Sequence, residues 1–256
     1  MQLKFLGTGT SQGVPVIGCT HPVCLSKNPK DKRLRSSAIL TTDAKKKILI
    51  DCGPDFRQQM LAQNESQVDA VLLTHEHNDH IIGLDDLRPL IFNNRKPMPI
   101  YCQSRVAQEV KARFPYAFAE IKYPGAPSFE VVEISHHQPF QVLETTIQPI
   151  EIFHGKLPIL GYRIGGLAYI TDASLISKDA LNQLKNLEIL VINALRLKHE
   201  HPSHFILPQA LEIIQQLAPK KAFITHISHK LGFHEEVERQ LPPHIRLAYD
   251  GLVVNW

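Results

Sequence analysis

The sequence contains no uninterrupted run of about 18 apolar residues, the length a membrane-crossing helix requires. Its opening, MQLKFLGTGTSQG, lacks the long apolar region and small-residue cleavage site of a secretory leader. Only four cysteines occur, unevenly spaced, which excludes a disulfide framework in a chain of 256 residues. Net charge is +3, too small by itself to argue for a nucleic-acid partner. There is no linker, repeat or low-complexity stretch, and the one charge run is KNPKDKRLR. These absences lead us to expect one domain over residues 1–256 in a reducing cytoplasm, with no membrane partner. Hydrophobic residues make up 43%, enough at this length for a substantial core.

What the chain does have is fourteen histidines, an unusual number, and their placement carries the analysis. SSAILTT and KKILIDCG are strand-like and flank a charged turn, predicting a hairpin. VDAVLLTH is a continuous apolar run, the mark of a strand buried on both faces. FEVVEI, FQVLETTIQPIEI, LGYRIGG, LAYITDAS, LEILVINAL and KAFITHI are further predicted strands. Helices are predicted in DFRQQMLAQ, SRVAQEVKARF, SKDALNQLK with Ser177 as N-cap, LPQALEIIQQLA and FHEEVERQL. Strands that give way to strand–helix alternation predict packed sheets with helices outside.

The strongest motif is LLTHEHNDH. An apolar strand runs directly into His75, Glu76, His77, Asn78, Asp79 and His80. In extended chain, residues i and i+2 share a face, so His75 and His77 can hold one ion together. A turn into helix would redirect Asp79 and His80 toward a second position nearby. This is the pattern of a two-metal site.

H-x-H-x-D-H after an apolar strand, with LIDCG upstream, resembles the metallo-β-lactamase superfamily. The resemblance runs from Leu3 to the final strand. It implies an αββα sandwich, an α/β layered fold with the site at one edge of its sheets. It further implies that His154 in FHGKLPILGY completes the first metal position, that Asp172 in YITDAS bridges both, and that His226 in FITHIS serves the second. Asp51 in LIDCG resembles the superfamily's supporting acid, which orients the ligand loop without touching metal. Five histidines and two carboxylates, with no cysteine, suit zinc, manganese or iron and resemble the phosphodiesterase and nuclease branch. Two such ions would lower the pKa of a shared water and clamp phosphoryl oxygens, with Asp79 orienting the nucleophile.

GCTHPVC adds a second feature. Cys19, His21 and Cys24 are three soft ligands, and a structural zinc takes four. Candidates for the fourth are Cys52, Cys102, His136, His137 and His229. His229 is preferred, because THISH places it three residues after His226 and lets one loop feed two sites. The PhnP-like phosphodiesterase subgroup is similar: it carries a short N-terminal zinc site closed from this loop, with cysteine where this sequence has His21.

His204, just ahead of a predicted helix, lies close to where this branch places a general acid. His199 and His201 are ranked below it, because their charged neighbours suit a solvated loop. Lys27, Lys30, Lys32, Arg33 and Arg35 are read as a wet charged loop that could draw in an anion. His136 and His137 stay unassigned, and His234 and His244 are read as surface residues. The expected activity is a binuclear hydrolase of small or nucleotide-like phosphate diesters, acting as a single chain or a homodimer, with two catalytic divalent ions and one structural zinc. Three alternatives are carried: a tRNA 3′-processing-type endoribonuclease, a glyoxalase II-like thioesterase or lactonase, and a non-catalytic accessory protein of the pyrroloquinoline quinone type. The endoribonuclease would bring a long basic arm, and FPYAFAEIKYPGAPSFE is too short and weakly basic to be one.

Overall fold

The computed structural model describes residues 1–256. Fourteen strands form two seven-stranded sheets. In chain order they are β1 (Gln2–Gly7), β2 (Ser37–Thr41), β3 (Lys47–Ile50), β4 (Ala70–Leu72), β5 (Met98–Cys102), β6 (Phe129–Glu133), β7 (Phe140–Val142), β8 (Thr145–His154), β9 (Leu157–Ile164), β10 (Leu167–Tyr169), β11 (Ile189–Asn193), β12 (Lys221–Thr225), β13 (Ile245–Leu247) and β14 (Val253–Asn255). The first sheet runs β14-β1-β2-β3-β4-β5-β6 and the second β13-β12-β11-β10-β9-β8-β7.

Each sheet is half antiparallel and half parallel, changing over at β3 in the first and at β10 in the second. The parallel strands β4 and β11 are short and buried on both faces, as helices on one side and a second sheet on the other require. Three apolar clusters fill the three gaps between four layers. Leu3, Phe5, Leu40 and Leu72 meet Leu160, Tyr162, Tyr169 and Phe223 between the sheets. Leu49, Val71, Ile81 and Val106 belong to the cluster outside the first sheet, and Leu190, Ile192, Ala210 and Ile214 to the cluster outside the second. The layering is αββα, as the resemblance implied.

Most predicted elements occur. Ser177 caps the helix Lys178–Gln183 by accepting from the Ala180 N–H. One prediction fails: FQVLETTIQPIEI is not one strand but the hairpin β7–β8, turned at Leu143 and Glu144. Leu143 adopts φ 55°, which a strand cannot contain, and nothing in an apolar residue advertises that turn.

The charge run is also less exposed than expected. Arg33 is buried, donating to Thr8 Oγ1 at 2.8 Å and Ala248 O at 2.6 Å, with His234 Nδ1 3.1 Å from its other terminal nitrogen. Arg35 pairs with Asp55 at 2.7 Å. His234 is therefore a core residue, 1% exposed, and not the surface histidine the sequence suggested. His244 is exposed as read.

Candidate two-metal centre

The site forms where strand ends of both sheets meet. Beyond β4 the chain runs through Thr74 and His75 and enters the helix Asn78–Ile81, with His77 at its N-cap position. This is the turn that sends Asp79 and His80 away from His75 and His77. The helix is seated by close backbone approach: a Cβ on Gly53 would lie 2.1 Å from Asp79 O, and Cys52 N–H donates to His80 O at 2.7 Å. The glycine of LIDCG is thus a steric requirement.

Six residues fall into two groups of three. Nitrogen atoms of His75, His77 and His154 lie within 4.8 Å of one another, as do ligand atoms of Asp79, His80 and His226. Asp172 joins both groups, converging with His75 and His80 on one side and with His154 and His204 on the other. Its Oδ1 lies 3.5 Å from His80 Nε2, and its Oδ2 lies 3.2 Å from His226 Nε2 and 3.3 Å from His204 Nε2.

Hydrogen bonds fix which nitrogen of each ring faces inward. Asp51 accepts from Thr74 N at 2.8 Å and from His80 Nδ1 at 2.7 Å. Thr74 Oγ1 donates its one proton to Asp51, 2.9 Å away, so it accepts from His75 Nδ1 at 2.9 Å. One carboxylate thereby orients two histidines from behind and turns both Nε2 atoms toward the site. His154 Nδ1 donates to Asp172 O at 2.8 Å and Ser203 O at 2.7 Å, which does the same for the third ring. Asp172 and His226 both adopt left-handed backbone, φ 57° and 54°, as does Asp51 at 59°. Non-glycine residues in that region store strain and concentrate at functional sites. Asp172 is braced by Asn193 of β11, whose amide bonds Ala173 N at 2.7 Å and Ala173 O at 3.0 Å.

Charge follows the same plan. Burial pushes His75 and His154 down, and His226 down to about 4, which favours their neutral rings, whereas the carboxylates of Asp172, Asp51 and Asp79 outweigh burial and push His80 up. Burial opposes the charge of Asp172 and Asp79, but the surrounding histidines outweigh it and hold both below the usual carboxylate range. Neutral imidazoles with ionised carboxylates are what a divalent cation binds. The fit is also visible as unmet need: His80 Nε2 and both ring nitrogens of His226 are buried without a hydrogen-bond partner.

The second cluster is smaller. Cys19, Cys24 and His229 converge within 4.8 Å, and His229 Nδ1 is buried and unpartnered. His21 does not join them at that distance. Its ring centroid lies 5.0 Å from that of His229, and its Nδ1 accepts from the Val23 N–H, capping the helix Pro22–Leu25. Cys52 and Cys102 are buried among core side chains outside the first sheet. His136 faces Glu151 at 3.3 Å and lies 3.8 Å from His137, ring centroid to ring centroid, with the rings tilted, belonging to neither cluster. The two clusters share a platform: Ile227 N–H donates to Thr8 O and Thr10 N–H to Ile227 O, stitching the glycine-rich first turn to the loop between His226 and His229.

Residues 46–227 match the β-lactamase superfamily domain. The chain belongs to this superfamily. The crystal structure of a new diphosphatase from the PhnP family superposes on this superfamily member with a TM-score of 0.91, at 41% identity, covering 99% of this chain and 96% of that one. An octanoyltransferase of Porphyromonas gingivalis is 45% identical over 98% of the chain, but the chain spans only about half (51%) of that relative. Zn(2+)-bound PqqB from Methylobacterium extorquens shares the fold, with a TM-score of 0.78 at 19% identity over 100% of both chains. Superfamily members are generally hydrolases with divalent metals, the chemistry this donor set suits. Sequence reasoning missed Thr74, Asn193 and the steric role of Gly53. No helix is long and apolar enough to cross a membrane.

Proposed function

We propose that the chain is a two-metal hydrolase acting at phosphorus in small, doubly substituted phosphates: phosphodiesters or substituted diphosphates. The observation that carries this reading is the buried Asp172 carboxylate, which converges with members of both triads, His75 and His80 in one group and His154 in another, with no cysteine in the set. His75, His77 and His154 would hold one ion, Asp79, His80 and His226 the other, and Asp172 both. When bound, the ions would lower the pKa of a water and stabilise charge on phosphoryl oxygens. His204 Nε2 faces the same carboxylate oxygen as His226 and is placed to protonate the oxygen that leaves phosphorus. Cys19, Cys24 and His229, with His21 alongside, would hold a structural zinc that fastens the His226 loop.

The diphosphatase neighbour spans nearly the same length as this chain and favours phosphorus over carbon as the reaction centre. The octanoyltransferase name belongs to a chain about twice as long, so acyl chemistry is the second reading and is tested beside the first.

The experiment is a panel: bis(p-nitrophenyl) phosphate, a substituted diphosphate, a p-nitrophenyl ester and a thioester, each with added zinc or manganese. Metal-dependent turnover of the phosphorus substrates, with Asp172→Ala losing at least about 10³-fold, is expected. Turnover of the carbon esters alone would overturn the reading.

A further inference from the structure

The loop before the helix Leu207–Leu217 is exposed at Leu197–Glu200, as its charges suggested, but half-buried at His201, Ser203 and His204. Arg196 donates to His199 O at 2.7 Å and Glu200 O at 2.9 Å, which pins the segment carrying His201, Ser203 and His204. Within it, the Ser203 N–H donates to His201 Nδ1 at 3.3 Å. That nitrogen therefore carries a lone pair. His204 Nδ1 lies 3.1 Å from it. Two lone pairs at this separation would repel, so His204 Nδ1 carries a proton and donates it. Ser203 Oγ, 3.2 Å from His204 Nδ1 and 3.3 Å from His201 Nδ1, bridges the same pair. The opposite nitrogen of His204, Nε2, faces Asp172 Oδ2.

We propose that His201 is a positioning residue for His204: it holds the Nδ1 proton in place, so the proton exchanged with substrate is always the one on Nε2. This rests on the reading of His204 as the general acid. The logic is that of the triad carboxylate, which fixes a histidine's tautomer and ring angle from behind without touching substrate. In the step, a water oxygen bonds phosphorus and gives up a proton to solvent, the bond from phosphorus to the leaving oxygen breaks, that oxygen takes the Nε2 proton, and the Nδ1 proton stays on His204, shared with His201. Burial, then the neighbouring His204 and Arg196, push His201 down from its ordinary value, which suits a neutral acceptor.

The test uses two diesters, one releasing p-nitrophenolate and one releasing an alkoxide, with metal content measured in every variant. His201→Leu removes the acceptor, and His201→Asn returns an oxygen near the position of Nδ1. His201→Leu should slow alkoxide release roughly 10–10²-fold and p-nitrophenolate release far less, with metal content unchanged. His201→Asn should recover most of that loss, and His201→Leu combined with His204→Ala should be no slower than His204→Ala alone. If His204→Ala discriminates between the leaving groups and His201→Leu does not, this inference alone fails. Should His204→Ala itself show no discrimination, the acid reading fails and takes the inference with it. Multiplicative losses in the double variant, or lost metal in His201→Leu, would also overturn it.

Discussion

His226 and His229 lie three residues apart in one loop and occupy two different physical settings. His226 follows β12, is 1% exposed, holds left-handed backbone and has neither ring nitrogen paired. His229 opens a short 3-10 turn nearer the surface, beside Cys19 of an N-terminal loop and Cys24 of the helix Pro22–Leu25. The first setting collects donors from strand ends of both sheets, fixed by Asp51, Thr74 and Asn193 from behind. The second collects its donors from an N-terminal loop, the one-turn helix Pro22–Leu25 and a 3-10 turn, away from the strand ends. A centre that must keep its geometry while exchanging substrate is built on strands, whereas a clasp can be built on loops, because the ion itself supplies the order.

The sharpest way to break this contrast is to exchange the effects of the two histidines. His226→Ala should lose metal from the two-ion centre and reduce turnover of bis(p-nitrophenyl) phosphate at least about 10³-fold, with little change in melting temperature. His229→Ala should lose one zinc, keep most turnover in the folded fraction and lower the melting temperature. Metal analysis and calorimetry on the two variants decide the matter, and identical metal losses would erase the distinction. A smaller effect is expected from Thr74→Val. The methyl keeps the shape but cuts the link from Asp51 to His75 Nδ1, which should weaken catalytic metal affinity about 10–100-fold, read by competition with a chelator. Wild-type affinity in that variant would remove Thr74 from the scaffold.

The smallest effect concerns acid stability. Burial, with Arg33 alongside, pushes His234 down to about 4 from its ordinary 6.5. Between those values the unfolded chain binds a proton that the folded chain refuses, so stability falls as pH drops from 6.5 to 4 and is fully present above 6.5. Asp250, pushed up to about 6 by burial, acts with the opposite sign over part of that range. The measurement is therefore the difference in denaturation midpoint between wild type and His234→Asn across pH 4–7. That difference should shrink as the pH falls, and a constant difference would refute it.

Fold and candidate site differed in how far they could be read from sequence. The layering was legible because buried strands are continuous apolar runs, and the histidines were legible because they stand at the ends of those runs. The supporting residues were not. Asn193 acts on Ala173, and Gly53 on Asp79, through contacts between separate strand ends, and neither residue type is unusual where it stands. His201 looked solvated because its neighbours are charged; those neighbours are exposed, but Arg196 bonds their backbone carbonyls while His201 itself is half-buried beside His204. His234 misled for the same reason: an arginine in a charged run turned out to be its buried partner.

One pairing has a bearing on how the molecule comes into being. β1 lies between β2 and β14, with Leu3 opposite both Leu40 and Val254. During synthesis the first strand therefore keeps an open, largely apolar edge until residues 253–255 have left the ribosome. An edge of that kind is a template for another nascent copy. Pairing with β14 closes it, and a chain that stops before Val253 would carry every residue of both metal clusters while still inviting aggregation.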